Sequence, residues 1–412
     1  MTLLIAWRNI LANKRRAILT VVLTVFTTTF LVFGLSWNAG SHDKMLRDAV
    51  QVYSGYLQIT GKDYNDKPDY DHLIYNLSDV KEVAASHKEI ENFSARFETF
   101  ALFSGPKESA GGMLIGIEPE TEQFLSRIKN SVNEGDYLTD TSEPHAIIGK
   151  DLARKLKVKV GDKVTYISTA LDYSMAADNI VIKGIYETGS EFDGLAIFVP
   201  KKYMDEMFLA EDAATQLVLL PLEEYRGEKL PELMKSINGN LNQEINETIS
   251  WETTLESLVQ GIEIDEVFGN ISLIILVAVI FFVIMIFALI SIIQRTKEIG
   301  VLRAIGTKPS KIFIMLVGEA VILGLIGVII GGLIGGSLAY YFHVNPMEIE
   351  MSAEMMEQYK QYGMIDFSFP SAFNIIDIFK MCLMILGMNI LAVLYPVYRV
   401  NKYKPIEAIN YV

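Results

Sequence analysis

The sequence predicts an α-helical membrane protein with four transmembrane helices and a large extracytoplasmic α+β domain. Half of the 412 residues are apolar while the net charge is −14, a combination that fits neither a wholly embedded nor a wholly soluble chain. Four stretches are almost free of charge, and each is long enough to cross a hydrocarbon core of about 30 Å, which needs roughly 20 apolar helical residues. The transmembrane helices are predicted over residues 17–41, 267–293, 312–342 and 378–398.

The first apolar stretch has an alternative interpretation as a cleavable signal peptide, because Lys14, Arg15 and Arg16 precede it. Signal peptides have an apolar region of about 7–15 residues and a small-residue cleavage site. This stretch is longer, and no convincing cleavage site follows it. We therefore expect a retained transmembrane helix.

The distribution of cations predicts the orientation in the membrane. Residues 1–16 carry +4, the segment 294–311 carries +4 and the tail 399–412 carries +2, so the remaining residues carry −24. Cytoplasmic loops are enriched in Lys and Arg. Both termini and the 294–311 segment are therefore expected in the cytoplasm, and the acidic regions 42–266 and 343–377 outside it.

The region 42–266 is large enough for one or two domains with their own cores. Its β-branched and aromatic runs, bounded by Gly, Pro, Asp or Asn, predict strands, as in GYLQIT, KVTYIS, NIVIKGIYET, LAIFVP and TQLVLLP. DLARKLKV, PKKYMDEMF and LPELMKSINGNL have helical spacing. The single cysteine, Cys382, lies in the fourth apolar stretch, so no intrachain disulfide stabilises this α+β region.

Several kinds of chemistry are not predicted. The phosphate-binding pattern G-x-x-x-x-G-K-[ST] is missing from the sequence, because both Gly-Lys pairs are followed by Asp. The five histidines show neither i,i+4 pairing nor a neighbouring cysteine, so no metal site is predicted. No nucleophile elbow is present, and the acidic balance argues against nucleic acid. We predict no catalytic residues and no bound cofactor.

The first residues predict a cytoplasmic amphipathic helix over 1–16. Leu4, Trp7, Ile10 and Leu11 share one helical face, with Arg8 largely off it. Such a helix lies in the membrane interface and contacts lipid headgroups.

Glycines recur along the third apolar stretch. Gly327, Gly331 and Gly335 follow at i, i+4 and i+8, and Gly332 and Gly336 form a second small stripe. Small residues at this spacing let helices approach closely in lipid. The stripes predict either packing within one subunit or a sliding or dimer-forming surface.

Glu319 interrupts the same stretch. A carboxylate inside a membrane is costly and faces protein or water. A proton relay would need partners at depth, and the other apolar stretches supply only Lys380, near the opposite face. We therefore predict a polar anchor near the helix end.

The segment 294–311 predicts a short amphipathic helix between the second and third transmembrane helices. Ile299, Leu302 and Ile305 follow at i, i+3 and i+6. Gly306 is expected to end this helix in the left-handed conformation, and Pro309 suits the first turn of the next. The pattern alone leaves two interpretations open: a helix on anionic lipid, or a knob that docks into a partner protein.

The segment 294–311, hereafter the coupling segment, resembles the coupling helix of the FtsX-like permeases of ABC transporters. This superfamily includes MacB-type pumps, FtsX division proteins and LolC/LolE lipoprotein-release proteins. The pattern E-I-G-x-L-R-A-x-G is matched by Glu298, Ile299, Gly300, Leu302, Arg303, Ala304 and Gly306, with Ile305 between the last two. AWRNILANKRRAILT, IIGKDLARKLKVKVGDKV and YPVYRVNKYKPIEAI are similar to other family segments, and AVQVYSGYLQITGKDYND looks closer to the LolC/LolE branch than to the MacB branch.

This resemblance implies a MacB-like periplasmic core fold and a permease subunit of the inner membrane. It implies a complex with a dimer of separate ATPase subunits, which hold ATP and Mg, and with a second permease copy or paralogue. The coupling residues would transmit ATPase closure to the outer domain, and a periplasmic carrier or adaptor would receive the cargo. Fewer than 20 residues precede the first apolar stretch, whereas MacB-type pumps carry a fused N-terminal ATPase.

The same resemblance allows three functions. Extraction of lipoproteins is favoured by the SGYLQI segment. The alternatives are a MacB-like exporter of peptides, lipids or antibiotics, and an FtsX-like regulator of an envelope hydrolase that transports nothing. The size of the outer domain argues against the smaller FtsX type.

Overall fold

A computed structural model describes residues 8, 10–11, 14–348 and 368–401 of the chain. The chain divides into two compact units. Among the described residues, the membrane unit comprises those within Met1–Lys44, Glu263–Ile349 and Ser368–Val412, and the α+β unit comprises Met45–Ile262. Most of the predicted amphipathic helix over 1–16 and most of the tail 399–412 lie outside the described residues.

The described helices are α1 (Lys14–Val52), α2 (Leu77–Ser86), α3 (Pro119–Leu125), α4 (Lys150–Leu156), α5 (Phe192–Leu195), α6 (Lys201–Phe208), α7 (Leu230–Asn240), α8 (Trp251–Thr254), α9 (Glu256–Ile293), α10 (Thr296–Ala304), α11 (Pro309–Val344) and α12 (Ile375–Asn401). The described strands are β1 (Leu57–Gly61), β2 (Ile90–Ser104), β3 (Ser109–Ile117), β4 (Val132–Gly135), β5 (His145–Gly149), β6 (Lys163–Thr169), β7 (Met175–Tyr186), β8 (Ala196–Pro200), β9 (Gln216–Pro221), β10 (Asn246–Ser250), β11 (Met347–Glu348) and β12 (Ser368–Phe369).

Four described helices, α1, α9, α11 and α12, are long and apolar enough to cross a membrane. Two of them run well past the predicted transmembrane limits. Helix α1 reaches Val52 instead of 41, and α9 begins at Glu256 instead of 267. Helical hydrogen bonds stay within the backbone, so a helix can continue into water with polar side chains. Gly55, at φ +71°, follows α1 and donates its N–H to the Val50 carbonyl.

The glycine stripes of α11 pack inside the subunit. A Cβ atom added to Gly327 would lie 2.5 Å from Thr24 Cβ on α1, and one added to Gly331 would lie 2.6 Å from Thr28 Cβ. One added to Gly335 would lie 3.0 Å from Val32 Cβ. The Thr29 hydroxyl donates to the Gly331 carbonyl across this contact, at 3.2 Å. The second stripe approaches α12, where Gly332 lies against Cys382 and Gly336 against Ile378. Both stripes are therefore filled by helices of the same chain.

The α+β unit is built on a ten-stranded sheet in the order β10-β1-β9-β2-β3-β8-β5-β7-β4, with β6 paired to β2 and β7. Its pairs are antiparallel except β3 with β8 and β5 with β7. The longest strand, β2, pairs along its length with β9, β3 and β6. This arrangement confirms the predicted α+β class.

Three apolar clusters form the core of the α+β unit. The first joins the sheet to α4 and α6 around Phe97, Leu152 and Phe208. The second joins β1 and β9 to α2 and α7 around Ile59 and Leu217. The third holds ten buried residues of several segments, among them Tyr53 and Tyr186. The cores are stabilised by burial, since none of the described residues there is a cysteine.

One buried ion pair fastens α3 to the sheet. The Arg96 guanidinium on β2 donates from Nε and Nη2 to the two carboxylate oxygens of Glu122, at 3.0 and 2.6 Å, and neither side chain is exposed. Its Nη1 donates to the Tyr53 carbonyl at 2.7 Å. Fork-to-fork pairs of this kind combine charge with fixed geometry. The charge of Arg96 is thereby matched inside the α+β unit.

Replacing Gly331 by alanine tests whether the stripe packs within one subunit. The new Cβ would meet Thr28 Cβ at 2.6 Å and the Val25 carbonyl oxygen at 2.7 Å, so α1 and α11 must separate. We expect a lower melting temperature for the detergent-solubilised Gly331→Ala protein. The matched control is Gly34→Ala on α1, which meets no atom within 4 Å and should be neutral or slightly stabilising, because alanine favours helix over glycine. A change of oligomeric state by Gly331→Ala at unchanged melting temperature would contradict intrasubunit packing.

Candidate functional site

The coupling segment forms the helix α10, which a glycine motif ends sharply. Gly306 has φ +94°, which confirms the predicted left-handed conformation. Its N–H donates to the Arg303 carbonyl and the Thr307 N–H to the Leu302 carbonyl, each at 3.0 Å. These two bonds form a Schellman motif, which satisfies carbonyls that the helix end would otherwise leave unpaired. Helix α11 then begins at Pro309, as predicted.

The predicted docking face of α10 is wrong in one respect, because Ile299 points inward. Ile299 is 2% exposed and packs in a cluster with Ile292 of α9, Leu316 of α11 and Val397 of α12. Leu302 is half-buried against the same cluster. In a helix of 3.6 residues per turn, side chains three residues apart point in directions that differ by about 60°. Ile299, Leu302 and Ile305 therefore cannot share one narrow face. Ile305, beyond the last helical turn, is 74% exposed.

The outward face of α10 carries a different set of apolar side chains. Val301 is 53% exposed, and Ala304 and Ile305 are exposed beside it. Lys297, one turn before Val301, is exposed on the same side. Sequence reasoning missed Val301, although the spacing of Lys297, Val301 and Ala304 at i, i+4 and i+7 marks one helical face. We call Val301, Ala304 and Ile305 the outward face.

The other predicted coupling residues divide by burial. Gly300 is buried beside Ile299, Arg303 is half-buried, and Glu298 and Gly306 are exposed. The buried and half-buried members position the helix, and the exposed ones are accessible to a partner. The structure thus separates the eight residues into an inner and an outer group.

A buried ion pair ties the start of α10 to α11. Arg295 Nη1 lies 2.5 Å from Glu319 Oε2, and the two side chains are only 8% and 7% exposed. Arg295 Nε also donates to Glu298 on α10 itself, at 3.1 Å. Breaking a buried pair by removing one partner typically costs about 3–5 kcal/mol, because it leaves an unpaired buried charge. Glu319 therefore anchors α10 through Arg295, a partner that the sequence analysis did not identify.

A small cavity of about 70 Å³ lies beside this ion pair within the membrane unit. Its polar lining includes Thr24 of α1, Ser291 of α9 and Asn389 of α12, together with Arg295 and Glu319. The Thr24 hydroxyl lies 3.4 Å from Asn389 Oδ1. Such a volume has room for a few water molecules, each of which needs about 10–15 Å³ by this measure. Polar side chains of all four membrane helices thus converge around one buried charge pair.

The described residues contain no group of three or more His, Cys, Asp or Glu side chains that could hold a metal ion.

Comparison with known proteins gives two family matches. Residues 17–232 match the MacB-like periplasmic core domain, and residues 270–405 match the FtsX-like permease C-terminal family. The lipoprotein-releasing system transmembrane protein LolC of Xylella fastidiosa (strain Temecula1) is 21% identical over 398 residues, covering 94% of this chain and 91% of that protein. The probable syringafactin export ATP-binding/permease protein SyfD of Pseudomonas syringae pv. syringae is 21% identical over 358 residues, covering 84% of this chain and 53% of that protein.

The periplasmic region of MacB from Actinobacillus actinomycetemcomitans, known from its crystal structure, aligns with 53% of this chain and 98% of its own at 14% identity and a TM-score of 0.37. The first family match spans more than half of the chain. The chain therefore belongs to the family with the MacB-like periplasmic core domain, joined to an FtsX-like permease region at its C-terminal end.

Proposed function

We propose that this chain is the transmembrane permease subunit of a mechanotransmission ABC complex, and that the complex extracts lipoproteins from the inner membrane and passes them to a periplasmic carrier. Similarity to a lipoprotein-releasing transmembrane protein over nearly the whole chain supports the cargo. The observation that carries the coupling role is the outward face of α10, an exposed apolar patch on a helix that is fixed to the bundle from within.

The outward face has the chemistry of a docking knob. Val301, Ala304 and Ile305 offer apolar surface, and Lys297 and Glu298 provide charges at its edge. Central apolar anchors supply most of the free energy at protein interfaces, while edge charges tune orientation and rate. The groove that receives this knob would belong to a separate ATPase dimer, which holds ATP and Mg, since the sequence lacks a P-loop. A second permease copy or paralogue would complete the complex.

The orientation proposed for the complex follows from the cation distribution. The coupling segment carries +4, while the regions assigned outside the cytoplasm are acidic. The positive-inside rule then puts α10 and both termini in the cytoplasm and the α+β unit in the periplasm. Only this orientation brings α10 to a cytoplasmic ATPase.

Force from the ATPase would enter the bundle through two inward contacts of α10. Ile299 packs among side chains of α9, α11 and α12, and Arg295 pairs with Glu319 on α11. Packed interiors transmit displacement because they have little free volume. A push on the outward face would therefore reach α11 through the Arg295–Glu319 pair and through Ile299.

Charge substitutions on the outward face test the docking hypothesis. Ile305→Asp and Val301→Asp should each release the co-expressed ATPase, because burying a charge at an apolar interface costs about 2 kcal/mol or more. The side chains are more than half exposed, so the permease itself should fold and insert normally. Pull-down of the ATPase from detergent extracts measures the loss, and Gln294→Asp, an exposed residue before α10, is the matched control.

Leu302→Asp separates this hypothesis from simple misfolding. Because Leu302 packs against the inner cluster, its replacement should lower the melting temperature of the permease as well as ATPase retention.

The alternative, in which α10 lies on anionic lipid, predicts a different result. The triple variant Lys297→Gln/Lys308→Gln/Lys311→Gln should then impair function, while the Ile305→Asp and Val301→Asp proteins retain the ATPase fully. Full retention by both aspartate variants would refute docking through the outward face.

Removing Glu319 tests the proposed force path. Glu319→Leu removes the buried partner of Arg295 and leaves it the exposed carboxylate of Glu298. We expect this variant to lower the free energy of unfolding by about 3–5 kcal/mol and to uncouple ATP hydrolysis from lipoprotein release. Arg295→Met/Glu319→Leu should recover most of the stability, since apolar side chains can replace a buried pair. Glu298→Gln, which removes the exposed partner of Arg295, should cost less than about 1 kcal/mol. Thermal unfolding and reconstituted release assays provide the measurements; equal effects of Glu319→Leu and Glu298→Gln would contradict the path.

A second candidate function is export of a small lipopeptide or peptide. The similarity to a protein named as a probable syringafactin export ATP-binding/permease protein favours it, although this chain covers only 53% of that protein. Mass spectrometry of material that co-purifies with the complex distinguishes the two. A bound lipoprotein supports release, and a bound peptide or lipopeptide without lipoprotein supports export.

A further inference from the structure

A second, larger cavity of about 540 Å³ lies within the α+β unit. Three polar side chains of the sheet line it: Gln58 on β1, Glu98 on β2 and Gln216 on β9. In the sheet, Gln216 lies opposite Thr60 of β1 and opposite Arg96 of β2. Gln58 and Glu98 are two residues away from those partners, so the side chains of Gln58, Glu98 and Gln216 extend from the same face of adjacent strands. The remaining lining comes from the end of α1 and the residues after it, from residues 190–192 and from the start of α9. This cavity plays no part in the coupling site.

The lining of this cavity is negatively charged. Glu98 and Glu191 are carboxylates, and none of the described residues that line the cavity is a Lys, Arg or His. Arg96 is near, but its three donating nitrogens bind both oxygens of Glu122 and the Tyr53 carbonyl. Its single positive charge therefore faces two carboxylates, Glu122 and Glu98. Among the residues that the structure describes, Glu98 forms no ion pair of its own.

Three side-chain oxygens in the lining are available as acceptors. Tyr53 and Gln216 both donate to Oε1 of Glu98, and within the described part of the chain no donor meets its Oε2. Gln216 uses its amide nitrogen in that bond, and Gln58 uses its own to donate to the Ser54 carbonyl at 2.6 Å. Their amide oxygens have no donor among the described residues. Both glutamines are nearly buried, at 7% and 3% exposure, so these acceptors depend on what enters the cavity.

A primary ammonium group complements this arrangement. It carries one positive charge and three N–H donors and has no acceptor. Burial raises the pKa of the Glu98 carboxyl although Tyr53 and Arg96 lower it, and a cation bound beside Glu98 would stabilise its ionised form further. An anionic ligand would be repelled by both glutamates. Val52, Phe192 and Leu255 add apolar surface, which suits an alkyl stem better than a hydrated metal ion.

We propose that this cavity binds a primary ammonium group on an apolar stem, supplied either by a free alkylamine or by a lysine side chain of a peptide. The ammonium lies against Glu98 Oε2 and the amide oxygens of Gln58 and Gln216, and its stem lies along Val52, Phe192 and Leu255. This site is independent of the ATPase coupling proposed above, and its test requires no ATPase.

Cadaverine binding to the full-length protein in neutral detergent tests the site directly. Saturation-transfer-difference NMR should show saturable binding of cadaverine at neutral pH and none of 1-pentanol, which has a similar stem but no charge. Glu98→Gln should weaken binding about tenfold or more, as expected for loss of a charged hydrogen bond. Gln58→Met, which keeps the charge and removes one acceptor, should weaken it several-fold. Glu256→Gln is the matched control, because this exposed glutamate lies between the lining residues Leu255 and Ser257.

A second ligand distinguishes the two sources of the ammonium group. An acetylated Gly-Lys-Gly amide should compete with cadaverine if chain-borne lysines are accepted, and its Nε-acetylated form should not. Competition by the lysine peptide assigns the site to peptides, and cadaverine binding without such competition assigns the site to free amines.

Three results would each overturn the proposal. They are equal binding of cadaverine and pentanol, unchanged cadaverine binding by a folded Glu98→Gln protein, and displacement of cadaverine by Ca²⁺ at equimolar concentration. So would the lack of any binding to the wild-type protein.

Discussion

The buried ion pair between Arg295 and Glu319 fixes the orientation of α10, and the coupling account depends on that orientation. Removing two charges from water costs several kcal/mol for each ion, so such a pair persists only where its geometry is well satisfied. Here Arg295 also donates to Glu298, and the Thr296 hydroxyl donates a hydrogen bond to the Ile292 carbonyl at the end of α9. Turning α10 about its axis would separate the pair and expose Ile299. The helix can therefore present only one face outward.

Close packing of the surrounding helices holds α11, the helix to which Arg295 ties α10, in place. Glycines on α11 let α1 approach so closely that a single added methyl group would clash with Thr28, and the second stripe does the same for Cys382 on α12. In lipid, such dispersion contacts replace the hydrophobic effect as the source of helix association. A helix that is packed on two sides cannot absorb a displacement locally. Motion imposed on α11 at Glu319 would be passed to neighbouring helices.

Sequence patterns predicted the element types well where the physical signal was local. The long apolar stretches predicted four membrane helices, and Gly306 and Pro309 predicted the end of α10 and the start of α11 because backbone conformation decides both. The β-branched and aromatic runs identified β1, β6, β7, β8 and β9. They did not identify the long strand β2, since charged residues such as Arg96 and Glu98 interrupt its pattern. Burial of Arg96 depends on Glu122, 26 residues further along the chain.

The coupling site was predicted only in part, because it also depends on contacts between residues far apart in the sequence. The family pattern identified the segment, but which side chains point outward depends on the contacts that α10 makes with α9, α11 and α12. Ile299 was therefore assigned to the wrong side, and Val301 was missed. The partner of Glu319 was sought only within the apolar stretches, and Arg295 lies just beyond one of them. The long arginine side chain reaches Glu319 on α11, and both side chains are buried where they meet.

Site-specific photo-crosslinking tests whether α10 docks into the ATPase through its outward face. A photoreactive phenylalanine derivative would be introduced singly at Val301, Ile305 or Ile299 in cells that co-express the ATPase subunit. We expect crosslinks to the ATPase from Val301 and Ile305, and crosslinks confined to the permease chain from Ile299. Crosslinks from Val301 and Ile305 to lipid alone, or to the ATPase only from Ile299, would contradict docking through the outward face.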